Sequence, residues 1–176
     1  TGDLVNNIAP EIVPYKAVFS QLQAPLGVYS VLGNHDYGDY FNWDNEADKV
    51  KNLEDLKQHQ KDMGWDLLIN EHRILEKDGA QLAIVGVENW GANLRFPRHG
   101  DMVKATAEIP ENVNCQILLS HDPSHWDAQI NNQYKNIGLM LSGHTHGMQF
   151  GLDLPFLKWS PAQWVYRQWA GLYTND

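Results

Sequence analysis

Three times along this chain a short apolar run stops at a small residue and gives way at once to residues that bind metal ions. Residues 28–32 lead into Gly33-Asn34-His35-Asp36, residues 117–119 into Ser120-His121-Asp122, and residues 139–141 into Ser142-Gly143-His144-Thr145-His146-Gly147. The chain opens on Thr1-Gly2-Asp3, which reads as a fourth strand end. Apolar runs of this length fit buried strands, and in open α/β sheets ligands gather outside the carboxyl ends of the strands. Such a sheet would bring Asp3, Asn34, His35, Asp36, His121, His144 and His146 together. Each piece alone also reads as an ordinary polar turn; their joint occurrence is what points to metal. Imidazole nitrogens with carboxylate and amide oxygens suit Mn, Fe, Zn or Co better than Ca or Mg, and the absence of thiolates argues against a structural zinc site.

The remaining periodicities fill in an α/β domain with a central sheet. Helical spacing predicts a short helix over residues 11–22, with Pro14 in its first turn, and a longer one over 46–63. The longer helix sets Val50, Leu53, Leu56 and Met63 along one face, with Gly64 just past its end. Weaker helices are expected at 101–108 and 125–133, and further strands at 67–69 and 82–87. The tail from 155 to 176 is rich in Trp and Tyr and reads as loop with short strands. With 176 residues and no repeat or linker, the expectation is a single domain over 1–176.

Charge narrows the partners. Thirteen Lys and Arg against 22 Asp and Glu leave a formal charge of −9, which argues against nucleic acid, because phosphate backbones are held by clustered cations. A phosphate ligand would have to be attracted by a bound metal instead. The single cysteine, Cys115, cannot form an internal disulfide and is expected to be an inert small hydrophobe. No apolar run approaches the ~20 residues of a membrane span.

The motifs Gly-Asp-x-x-Asn (Gly2 to Asn6), Gly-Asn-His-Asp (Gly33 to Asp36), Ser-His-Asp (Ser120 to Asp122) and Gly-His-x-His (Gly143 to His146) resemble those of the calcineurin-like metallophosphoesterases. The likeness runs from Thr1 to about Gly151 and is greatest to the small bacterial phosphohydrolases, some of them membrane-associated. It implies a β-sandwich flanked by helices, four layers in the order αββα, and metal-dependent hydrolysis of a phosphoester or pyrophosphate bond. It also implies two divalent first-row metals, manganese among the candidates, with Asp3 bridging them. Asn34, His121 and His144 complete one site, and His146 belongs to the other. His35 is the implied catalytic histidine, with Asp36 orienting its ring. The substrate implied is a phosphorylated small molecule or a lipid-linked phosphate, the latter consistent with membrane association. Arg95 and Arg98, in the loop 89–101, are candidate clamps for a substrate phosphate; the competing reading is surface ion pairs.

One motif of the family is missing. No Asp-x-His occurs among the 176 residues, so the chain reads as an internal fragment lacking that first motif and the closing strands. At most one metal is then expected to bind well, at the site containing Asn34. Two alternatives stay open: a phosphoesterase-fold scaffold without activity, and a protein phosphatase, which Asp36 disfavours because those enzymes usually carry Glu at this place.

Overall fold

The computed structural model describes residues 1–93, 95–113, 115–147 and 149–175. Two sheets lie face to face. The smaller pairs β1 (Tyr29–Ser30) in parallel with β2 (Asp66–Leu67). The larger runs in the order β3 (Glu71–Lys77), β4 (Ala80–Gly86), β5 (Cys115–Leu119) and β6 (Ile137–Leu141). Here β3 and β4 are antiparallel, and β4, β5 and β6 are parallel.

Strand alternation builds two of the three cores. Ala83, Val85, Val87 and Leu118 face outward, against Met102 and Ala105 of α3 (Met102–Thr106) and against Ile130. Ile84, Leu119, Leu82 and Ile117 face the other way and meet Val31 and Leu68 of the smaller sheet. Outside that smaller sheet lies α2 (Glu46–Asp62), whose Leu56 joins Met63, Val5, Ala9 and Ile12 in the third core. Helix, sheet, sheet, helix: these are the four expected layers.

Several local expectations are corrected. The first helix opens as a 3-10 turn, Ala9–Tyr15, and becomes α-helical only over α1 (Lys16–Phe19). Pro14 lies inside the 3-10 stretch, where its missing N–H interrupts any regular α ladder. In α2 the buried face is Asn52, Leu56 and Gln60, while Val50 is 54% exposed. The polar pair is buried because both are bonded: Asn52 Oδ1 accepts from Ala9 N at 2.7 Å, and Gln60 Oε1 from the Ser30 hydroxyl at 2.6 Å. The expected helix at 125–133 is a π-turn (Trp126–Ile130) running into one turn of α-helix (Asn131–Gln133). Cys115 opens β5 and is exposed rather than packed.

The tail forms a hairpin, β7 (Leu152–Leu154) with β8 (Leu157–Trp159). Phe156 and Trp164 there stand open to solvent. Among the described residues, β6 pairs on one side only, and no helix is long and apolar enough to cross a membrane.

The two readings of α2 separate by mutation. Leu56→Ala should cost ~2–5 kcal/mol in urea unfolding, whereas Val50→Ala should change stability by less than about 0.5 kcal/mol. Equal losses would show that Val50 packs after all.

Candidate metal centre

The carboxyl ends of β1, β5 and β6 lie together, and the segment before the first 3-10 turn crosses them. Contact this close requires glycine. A side chain at Gly33 would collide with the Asp3 carboxylate and backbone, and one at Gly2 with the backbone of Gly33. Gly2 also has φ +85°, a conformation that L side chains rarely adopt.

Asp36 fastens this crossing. Fully buried, its carboxylate accepts from the backbone N–H of Gly33, Asp3 and Leu4, each at 2.8 Å, and of Val5 at 3.3 Å. Burial pushes its pKa above the usual carboxylate value, while those N–H donors favour the anion. The expectation that Asp36 orients the His35 ring is therefore corrected: its oxygens are taken up by backbone. His35 Nδ1 instead donates to the Asn6 carbonyl at 2.6 Å, and Asn6 and its neighbours are held by Glu11, which accepts from the N–H of Asn6, Asn7 and Ile8. A carbonyl can only accept, so the Nδ1 proton is fixed and Nε2 keeps its lone pair in the neutral ring.

The same logic applies to His121, which is 1% exposed. Its Nδ1 donates to the Thr1 carbonyl at 2.7 Å, so its Nε2 cannot donate while the ring is neutral. Yet Nε2 lies 3.0 Å from Asp3 Oδ2 and 3.0 Å from His144 Nδ1. Asp3, His121 and His144 offer ligand atoms all within 4.8 Å of one another. Among the described residues, Asp3 Oδ2 and Asn34 Oδ1 are buried without a hydrogen-bond partner. Electron pairs crowded and unpartnered in this way need positive charge between them, and the donor set fits a first-row divalent cation. The His144 ring completes the picture. Its Nε2 is buried with no hydrogen-bond partner among the described residues, 3.7 Å from Asp122 Oδ2 and beyond hydrogen-bond reach.

Electrostatics follow from burial. Burial alone would raise the Asp3 pKa, but the His121 ring and the His35 backbone N–H outweigh it and hold the carboxyl below its ordinary value. Burial and the His121 ring together lower the pKa of His144. Backbone strain collects at the same place: Asp3, His144 and His146 all have positive φ, at 56°, 68° and 51°. Such residues cost ~1–3 kcal/mol each and persist where surrounding structure over-determines them.

Not every candidate arrives. His146 is exposed, with Nδ1 facing Gln149 Oε1 at 2.7 Å; it lines the same cavity of about 560 Å³ as Asp3 and His35 but stands outside the triad. Arg98 is spent on its own loop, donating to the Gly91 and Ala92 carbonyls at 2.6 and 2.8 Å and lying over Trp90. Arg95 is exposed and does not line that cavity. Neither arginine is placed as a phosphate clamp. The loop 89–101 reaches the site through Phe96 instead, whose ring meets His144 edge-on at 4.8 Å. Tyr166 does the same from the tail at 5.4 Å, and Tyr40 packs on His35 at 4.6 Å. No motif or spacing singled out these aromatics, nor the Asn6 carbonyl, because their roles arise only from folding.

His125 is outside the centre. It is buried between Ser120 Oγ and Gln129 Oε1, both at 2.8 Å, and stacked on Trp90. Burial pushes its pKa down to about 4 from the ordinary 6.5, although Gln129 acts the other way.

A description of the calcineurin-like phosphoesterase family matches residues 1–148. The chain is 26% identical to the uncharacterized metallophosphoesterase YkoQ of Bacillus subtilis, covering 89% of this chain and 52% of that protein. It is 31% identical to a zebrafish (Danio rerio) transmembrane protein with a metallophosphoesterase domain, covering 84% of this chain and 32% of that protein. The chain thus spans about half the length of the first relative and a third of the second. Among solved structures, the sulfate thiohydrolase SoxB of Thermus thermophilus superposes with a TM-score of 0.50 at 19% identity, covering 81% of this chain and 28% of that one. At that identity the likeness speaks for the fold.

Two outcomes follow from this geometry. Asp36→Asn replaces an acceptor-only group by one that turns an NH2 towards backbone N–H donors, so the Asp3 segment should loosen. Divalent-metal affinity, read by titration with Mn²⁺, should fall ~10–100-fold although no ligand is removed; unchanged affinity would detach Asp36 from the centre. For His125, the unfolded chain binds the extra proton between pH 6.5 and about 4. Its contribution to stability is therefore full above pH 6.5 and lost as pH falls towards 4. In metal-free protein, urea unfolding at pH 7 and pH 5 should show a smaller difference for His125→Gln than for wild type.

Proposed function

Because the chain belongs to the calcineurin-like phosphoesterase family, we propose that it is the metal-holding part of a phosphohydrolase, which cleaves a phosphoester or pyrophosphate bond by metal-assisted attack of water. The observation that carries this reading is the triad Asp3, His121 and His144, with ligand atoms within 4.8 Å of one another, together with Asp3 Oδ2, Asn34 Oδ1 and His144 Nε2, which are buried without a hydrogen-bond partner among the described residues. Asp3, Asn34, His121 and His144 would hold one ion, and Asp3 with His146 would contribute to a second; Mn, Fe, Zn and Co all suit these donors. Bound divalent ions supply water acidified towards neutral pH and positive charge for phosphoryl oxygens.

The chain's own residues do the rest. His35, with Nδ1 held by Asn6, lines the cavity beside Asp3; there its imidazolium form, which carries a second proton on Nε2, can pass that proton to the departing oxygen or donate it to a phosphoryl oxygen. Asp36 keeps the Asp3 segment against Gly33, so that ligand and proton donor share one frame. The cavity continues from His35 and His146 to Ile12, Pro14, Tyr15 and Phe19. That apolar wall favours a phosphorylated small molecule or lipid-linked phosphate with an apolar group next to the phosphate. With the formal charge at −9, substrate attraction falls to the cations. A scaffold without activity would have no use for a histidine held so firmly beside the ligands, which favours the enzyme.

The protein should release phosphate from at least one of a panel of phosphomonoesters, phosphodiesters and sugar-nucleotide pyrophosphates with Mn²⁺, and lose the activity to a chelator. No turnover across the panel would favour the scaffold, and turnover confined to phosphopeptides would favour a protein phosphatase. His35→Ala should lower kcat by ~10²–10⁴-fold with metal content unchanged; wild-type turnover in that variant would remove the proton-transfer role.

A further inference from the structure

A side-chain amide has two ends of nearly equal size and opposite chemistry, and a cation can use only the oxygen. Asn34 is 1% exposed, so water cannot sort its orientation. Its Oδ1 is buried without a partner among the described residues, while its Nδ2 donates to the Tyr40 hydroxyl at 2.9 Å. Tyr40 lies just past the 3-10 turn His35–Tyr37, where Gly38, at φ +70°, swings the chain back over its own start. Its ring then rests on the His35 imidazole, centroids 4.6 Å apart. One side chain thus touches both the amide that would bind the ion and the histidine that would serve the leaving group, although it is 48% exposed and belongs to no motif.

We propose that Tyr40 is a positioning residue of the metal centre: its hydroxyl takes up the donor end of the Asn34 amide and keeps Oδ1 aimed at the Asp3–His121–His144 cluster before an ion arrives. The role rests on the metal-centre reading above and adds a residue to it. Without the hydroxyl, the Nδ2 end has lost its partner and the amide is free to rotate. Only one of its orientations offers an oxygen, so an arriving ion must select it. Groups that orient a ligand in this way typically contribute ~10–100-fold to metal affinity. A neutral hydroxyl supporting a neutral amide belongs at the lower end of that range. The ring's packing on His35 survives in phenylalanine, so Tyr40→Phe isolates the hydroxyl.

The test is titration of metal-free protein with Co²⁺, followed by visible absorption, for wild type, Tyr40→Phe, Asn34→Ala and the double variant. Tyr40→Phe should bind Co²⁺ about 10-fold more weakly, with a spectrum displaced towards that of Asn34→Ala. In the Asn34→Ala background the same change should have no further effect, because the amide it supports is gone. The thermal midpoint of the metal-free double variant should equal that of Asn34→Ala alone, whereas a merely structural role for the hydroxyl would lower it in both backgrounds alike. Equal affinity in wild type and Tyr40→Phe, or the same loss with and without Asn34, would overturn the proposal. Wild type that binds no Co²⁺ would overturn the metal centre itself, and Tyr40's role with it.

Discussion

The candidate centre depends on one buried carboxylate whose oxygens are taken up by backbone N–H groups. Asp36 accepts the backbone N–H of Gly33 in its own loop and those of Asp3, Leu4 and Val5 in a segment more than thirty residues away. Burying a charge is costly unless it is fully hydrogen-bonded, and here four donors meet it. That bonding fastens two loops that would otherwise part. Glycines at 2 and 33 let them close to contact, and Asp3 and Asn34 are left facing the ends of β5 and β6.

From that frame the electrostatics follow. His35 and His121 each donate an Nδ1 proton to a backbone carbonyl, of Asn6 and of Thr1. Both rings, while neutral, therefore keep an Nε2 lone pair, the form in which His121 would bind the proposed ion; His35 would need a second proton to serve as a donor. Two imidazoles, one carboxylate and one neutral amide would leave a divalent ion with net positive charge. An acidic protein can attract phosphate only through such a local excess of positive charge. Phe96, Tyr40 and Tyr166 border the same groups with aromatic surface, which limits water around them and strengthens every interaction inside.

Much of this was legible in the sequence. Strand runs ending in ligand residues, together with the helix pattern between them, predicted an α/β domain with those residues at the strand ends, and the family resemblance implied the αββα layering. The misses have physical causes. Val50 fits the apolar face of α2 by period alone, but Asn52 and Gln60 find partners across the interface and take that face instead. Asp36 stands beside His35 in sequence, yet backbone donors from a distant segment claim its oxygens. Arg98 carries the charge of a phosphate clamp, but Trp90 and two carbonyls of its own loop hold it. Tyr40 and Phe96 bear no signature, since an aromatic residue in a loop reads as packing until the loop is folded.

The central claim is that Asp3, Asn34, His121 and His144 share one ion. Crystals of the protein grown with Mn²⁺, measured for anomalous scattering, test it most directly. The account predicts a peak between these four side chains, at ~2.0–2.3 Å from the Asp3 and Asn34 oxygens and from a nitrogen of each histidine, as first-row ions require. A peak bound elsewhere, or none at these residues with manganese in excess, would contradict it.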